Sequence, residues 1–214
     1  MNATAIATEL NSILKCMDPV SEPRRAIEKL IEKLNADIRA AAAKDAKNLK
    51  AFRTLEKVLK ENRNVFRSPL GYAWIDERGR QCFCDGYRAF RLYDGHHVQT
   101  EDAPENVGEP IDLNKCYPAE SMLLQYKTLN LPDLQELAAY IKVEKAKQGR
   151  KANILYVFEG SEGWNVGVNA EYLLDLMTVI KGANTIKYNS EKVFSPLYAS
   201  DETGDAILLP VRVK

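Results

Sequence analysis

The hydrophobic period of this chain changes near Arg67, and that change constrains the fold more than any motif does. Up to Arg63 the sequence carries no glycine, and its apolar residues recur every three or four positions, a spacing that lines them along one face of an α-helix. Ile6, Leu10, Ile13 and Leu14 form a first stripe. DPVSEPRR breaks it, with Ser21 placed as an N-cap and Pro23 tolerated in a first turn. Ile27, Leu30, Ile31, Leu34 and Ile38 mark a second helix, extended without bulk by the alanines at 40–43. A third helix, roughly Asp45 to Asn62, carries Leu49, Phe52, Leu55, Val58 and Leu59 on one face and lines up Lys50, Arg53, Lys57 and Lys60 on another.

After RSPL the period drops to two, or to short apolar runs. LGYAWID and QCFCDGYRAFRLY read as paired strands joined by the turn Glu77-Arg78-Gly79-Arg80. Asp94 to Pro110 reads as a long loop or insertion, IDLNKCY as a short strand, and LPDLQELAAYIKVEKAKQ, with its early proline and lysine-rich end, as a helix. NILYVFEG and GWNVGVN read as strands, AEYLLDLMTVIKG as a helix stopped by Gly182, and TIKYNS, SPLYASD and AILLPVRV as three closing strands. Helix, then strand, turn and strand occurs near residues 49 to 93 and again near 170 to 213. The expected class is α+β, helices packed on antiparallel sheets, with a helical extension over 1–46 preceding a main domain over 47–214.

Thirty basic residues balance thirty acidic ones, so no global field draws the chain to nucleic acid or to an anionic membrane, and such binding needs a local patch. The 214 residues suffice for a sizeable core, and 45% hydrophobic with 28% charged residues is ordinary for a soluble globular protein. No run approaches the length needed to span a bilayer, and the opening MNATAIATELNSILK lacks a basic stretch followed by an uninterrupted apolar one. The four cysteines read as reduced thiols, because Cys82 and Cys84 alternate on one strand and neither Cys16 nor Cys116 has an obvious mate. A cytoplasmic location with no membrane partner is expected.

The segment QCFCDGYRAFRLYDGHH invites a zinc site of Cys82, Cys84, His96 and His97. The expectation is against it, and no metal or other cofactor is expected. A C-x-C pair lacks the C-x-x-C spacing that turns two thiolates toward one ion, and adjacent histidines on a strand point to opposite faces. Buried cysteines alternating with Phe83 account for the same letters. There is no phosphate-cradling glycine loop, no G-x-S-x-G and no helix with paired histidines, and Asp76, Glu77 and Asp85 occupy turn positions that favour aspartate for backbone reasons. Catalysis is not expected.

Three stretches carry a family resemblance: Asp85, Gly86, Tyr87 and Arg88 at a strand turn; Val168 and Asn169 leading into Tyr172, Leu173, Leu174 and Asp175; and the closing Leu209 to Val213. Together with SPLGYAWID they resemble the bacterial DNA polymerase sliding clamp, the beta subunit of the replicative polymerase. The resemblance covers one clamp-type domain from about Lys47 to Lys214, where a full bacterial clamp subunit has three. It implies a non-enzymatic accessory of DNA replication or repair, of bacterial or phage type. The implied partners are duplex DNA, met through the backbone by Lys50, Arg53, Lys57 and Lys60, and a polymerase or repair-protein peptide motif. The implied peptide groove is lined by Gly86, Tyr87, Arg88 and Phe90 with Leu209, Pro210, Val211, Arg212 and Val213. In the family the two halves of that groove come from neighbouring domains, so self-association into a ring is a further expectation. Glu171 and Asp175 put acid where a DNA channel would want base. The alternative is an interaction module that keeps the fold without encircling DNA; a third reading is a zinc-dependent enzyme using Cys82, Cys84 and a histidine.

Overall fold

A computed structural model of the chain describes residues 3–18, 21–42, 46–63, 68–105, 107–159, 165–192 and 194–212. The chain divides into two compact units, Met1–Phe52 and Arg53–Lys214. In the first, α1 (Ala3–Leu14) and α2 (Glu22–Ala42) form a helical hairpin. The break between them is held by side chains: Arg24 Nη1 donates to the carbonyls of Leu14 and Met17, 2.9 and 3.0 Å away, satisfying acceptors that a helix end leaves open. The Ser21 hydroxyl donates to the Asp18 carbonyl. Helix α3 (Ala46–Arg63) straddles the division.

The second unit is α+β. Its main sheet has seven antiparallel strands: β1 (Trp74–Ile75), β2 (Gln81–Cys84), β3 (Arg88–Leu92), β4 (Lys127–Asn130), β7 (Thr185–Tyr188), β8 (Leu197–Ser200) and β9 (Gly204–Leu208), in the order β1-β2-β3-β9-β8-β7-β4. A separate hairpin pairs β5 (Leu155–Glu159) with β6 (Asn165–Asn169). Helices α4 (Glu120–Leu123), α5 (Leu134–Gln148) and α6 (Ala170–Val179) complete the unit. Helices α5 and α6 start where the sequence supplies caps: Asp133 accepts from the amides of Gln135 and Glu136, and Asn169 from those of Glu171 and Tyr172.

Strand alternation sorts the main sheet into two covered faces. Phe83, Phe90, Ala206 and Ala199 lie opposite one another in register on the first, and all are buried; each phenylalanine contributes roughly 2 kcal/mol by its burial. Cys82, Cys84, Ala89 and Ile207 lie on the second, covered by Leu113 and Tyr117. The seam between β3 and β9 is tight, because a β-carbon at Gly204 would meet the Arg91 carbonyl oxygen at 2.2 Å. Only glycine closes that ladder.

Three expected strands differ. QCFCDGYRAFRLY, read as one strand, is a hairpin of β2 and β3, because Asp85 and Gly86 turn the chain between them. IDLNKCY forms a 3-10 turn at Leu113–Lys115, because the Asp112 carboxylate accepts from the Asn114 amide and so competes with any strand ladder. AILLPVRV is a strand only to Leu208; Pro210 has no amide to continue the ladder. The short edge strand β4, with only Leu129 buried, lies in a stretch the sequence reading left unassigned.

Candidate functional site

The turn between β2 and β3 is built by Asp85. Its Oδ1 accepts from the amides of Tyr87 and Arg88, each at 2.9 Å, and its Oδ2 from Arg88 Nε at 2.8 Å. Gly86 takes φ +90°, in the left-handed region where a β-carbon is strained. This geometry throws Tyr87 outward, leaving it 59% exposed, its ring 5.9 Å from that of Tyr172 on α6. It also turns Arg88 inward.

Arg88 and Phe90 therefore do not line a groove, contrary to the expectation from sequence. Phe90 belongs to the core, and the Arg88 side chain is fully buried, its guanidinium bonded to Asp85 and Asp175, 3.4 Å from Glu61, and 4.2 Å from the Tyr172 ring centroid. The physical reason is charge pairing: three carboxylates converge on one cation, so the arginine is satisfied where no water reaches it. Burial pushes the Glu61 carboxyl up from its ordinary value, with Arg88 pulling the other way.

The tail completes the surface. The Leu209 amide donates to the Tyr87 carbonyl at 2.9 Å; Pro210 has no donor; the Val211 amide then donates to the Gly167 carbonyl at 2.7 Å, so the tail crosses from the main sheet to β6. Leu209 and Val211 stay 38% and 45% exposed. Gly86, Tyr87, Leu209, Pro210, Val211 and Arg212 are thus gathered around one backbone junction, with Pro210 half-buried and the others exposed. Val213 lies outside the described residues.

The basic stripe is met by carboxylates. Lys50 is exposed in the first unit; Arg53, Lys57 and Lys60, in the second, line an open depression together with Glu56 and Glu61. Lys57 Nζ lies 3.2 Å from Asp175, and Lys60 Nζ 3.4 Å from Glu56. Counting Arg88 with its partners, Arg53, Lys57, Lys60 and Arg88 stand against Glu56, Glu61, Asp85 and Asp175. The region is locally neutral. Glu171, the other acid of α6, lies 2.7 Å from Lys145 of α5.

On the opposite face of the sheet, burial pushes the thiols of Cys82 and Cys84 up to about 12 and about 11, so both are protonated near neutrality. They pack in an apolar cluster, whereas His96 and His97 are exposed in the loop after β3. Among the described residues no group of three or more His, Cys, Asp or Glu is placed to hold a metal ion. No described helix is long and apolar enough to cross a membrane. Sequence reasoning missed the partners of Arg88 on α3 and α6, and a second buried pair, Arg91 with Asp205. The only local signal was an aspartate three residues before an arginine, and the other partners come from distant sequence.

No protein-family model matches the sequence, and no curated protein matches it. Among solved structures, the Helicobacter pylori beta clamp bound to a DNA ligase peptide is similar over 76% of this chain and 62% of its own, at 14% identity and a TM-score of 0.49. The DNA polymerase sliding clamp from Caulobacter crescentus is similar over 76% of this chain and 64% of its own, at 16% identity and a TM-score of 0.48. The likeness thus spans less than two thirds of either clamp.

Proposed function

We propose that this chain is a non-enzymatic, sliding-clamp-like accessory of DNA replication or repair that captures a short apolar peptide motif of a polymerase or repair protein on the surface around Tyr87, Leu209 and Val211. The observation that carries this reading is the hydrogen bond from the Leu209 amide to the Tyr87 carbonyl. It joins turn and tail within one molecule, so both halves of the surface are present without a second copy. The exposed ring of Tyr87 and the side chains of Leu209 and Val211 offer apolar area to a Leu or Phe anchor, a contact contributing roughly 1.5–3 kcal/mol when fully buried. Arg212 can serve an acidic flank of the same peptide at the rim. A peptide of the kind bound to the Helicobacter pylori clamp is the ligand meant.

The test is the affinity of a labelled apolar motif peptide, followed by fluorescence polarisation. Leu209→Asp and Tyr87→Ala are each expected to weaken binding at least about tenfold; unaltered affinity in both sinks the proposal.

The second reading, an interaction module that does not encircle DNA, is favoured by the charge balance around Arg53, Lys57 and Lys60, since a phosphate track needs surplus base. Duplex affinity measured against salt, with Lys50, Arg53, Lys57 and Lys60 replaced by Gln, separates the two. A steep salt slope that those changes flatten restores DNA to the role of partner, and mass measurement in solution shows whether copies assemble into a ring.

A further inference from the structure

A strongly basic stretch lies at the carboxyl end of α5 and in the turn after it. Lys142, Lys145, Lys147, Arg150 and Lys151 fall within ten residues, where Glu144 is the only acid. Lys145 is held by Glu171 and Lys147 by Glu144, each at 2.7 Å. Lys142, Arg150 and Lys151 are exposed, and among the described residues none of the three sits in an ion pair. In a chain of zero net charge this is a local surplus, unlike the balanced stripe of α3.

An aromatic platform adjoins it. Tyr140 stands seven residues before Lys147, on the same side of α5 and about 10 Å along its axis. Its hydroxyl donates to the Leu155 carbonyl at 2.8 Å, and its ring meets that of Tyr156 edge-on at 6.2 Å; Tyr156 in turn meets Phe158 at 5.0 Å. The Tyr140 ring is therefore fixed from behind while 39% exposed. A pre-set ring with exposed cations about two helical turns away suits a polyanion whose monomers also carry flat apolar faces.

We propose that the carboxyl half of α5 binds single-stranded nucleic acid, with a base stacked on Tyr140 and neighbouring phosphates on Lys147, Arg150 and Lys151. The chemistry discriminates among polyanions: a duplex hides its base faces, and an acidic peptide has none, so only a single strand uses ring and cations together. Lys147, itself well exposed, reaches its phosphate by giving up Glu144, whose carboxylate keeps the Gln148 side-chain amide as a donor. The site is independent of the peptide-binding reading.

The probe is a labelled thymidine oligonucleotide of about a dozen nucleotides, with a duplex of equal length as comparison. The combined change Lys147→Gln, Arg150→Gln and Lys151→Gln is expected to weaken single-strand binding on the order of tenfold or more and to flatten its log–log salt slope by about 2. Tyr140→Leu is expected to weaken it about tenfold while duplex affinity stays put, and Tyr140→Phe, which keeps the ring and loses only the hydroxyl bond to Leu155, to weaken it by clearly less. Should Tyr140→Leu fail to fold, photocross-linking of an iodouracil-containing strand to the unaltered protein, mapped by mass spectrometry, is expected at Tyr140. Unaltered binding in the triple variant, equal loss for strand and duplex on Tyr140→Leu, or a cross-link elsewhere overturns the proposal. Peptide affinity measured on the same triple variant is expected to be unaffected, so failure here leaves the tail surface untouched, and the converse holds.

Discussion

Strand β3 carries two buried arginines three positions apart, and the two faces of the sheet treat them differently. Arg88 points to the helical face, where Asp85, Glu61 and Asp175 bring a turn, α3 and α6 to one guanidinium. Arg91 points to the other face, where it makes a paired contact with Asp205 alone, at 2.8 and 2.5 Å. Tyr117 lies flat against it, ring centroid 3.4 Å away, and Asn114 accepts a further bond. The first arginine ties secondary elements to one another; the second pins a loop to a finished sheet. A buried cation is thus read by what it connects, and the number of carboxylates left behind measures what its loss would expose.

This contrast sets the order of the expected effects. Arg88→Met leaves the buried Asp85 without a counter-charge and Asp175 with only Lys57, and is expected to cost roughly 4–5 kcal/mol in urea unfolding. Arg91→Met strands one carboxylate, and about 3 kcal/mol is expected. A larger loss at Arg91 than at Arg88 would break the comparison. Tyr117→Phe removes a hydroxyl that donates to the Ala89 carbonyl at 3.0 Å and lies 3.4 Å from that of Asp205, and about 1 kcal/mol is expected.

The effect at Asp76 depends on pH. Partial burial alone would raise its carboxyl, but hydrogen bonds from the Arg80 side chain and from the amides of Arg80 and Arg78 hold it below its ordinary value. A folded-state value below the unfolded one favours folding above the unfolded value, and the benefit disappears as pH falls through the folded one. Asp76→Asn is therefore expected to lower stability at neutral pH and to flatten its fall below about pH 4, as followed by thermal melts in acid. Smallest is Lys57→Gln: its half-exposed pair with Asp175 is expected to contribute less than about 0.5 kcal/mol, which a chevron or melt would barely register.

Helices α1 to α3 were legible because their apolar spacing is long and regular, α5 through its early proline and lysine-rich end and α6 through the Gly182 stop, while the four-residue α4 was not. Strand β4 was not, since one inward leucine between Lys127, Thr128 and Asn130 makes no alternating pattern. The Asp85–Arg88 turn was visible through its Asp-Gly pair, whereas the tail's departure from the sheet was not, because AILLPVRV has the apolar run of a strand and only the missing amide of Pro210 stops it. The fate of Arg88 was not visible. Arginine is ordinarily a surface residue, and the groups that bury it, Glu61 and Asp175, lie 27 and 87 positions away. Pattern along the chain reports which face a residue takes; it does not report which distant charges will be waiting there.

The seam between β3 and β9 has a consequence for how the protein is made. Leu92 and Gly204, partners across it, are separated by more than a hundred residues, so the β2–β3 hairpin must emerge from the ribosome and wait with an unpaired edge until more than a hundred further residues have been synthesised. During that interval Phe90 has no closing strand on its outer side. Synthesis stalled before Gly204 would release a species whose open β3 edge is prone to intermolecular strand addition.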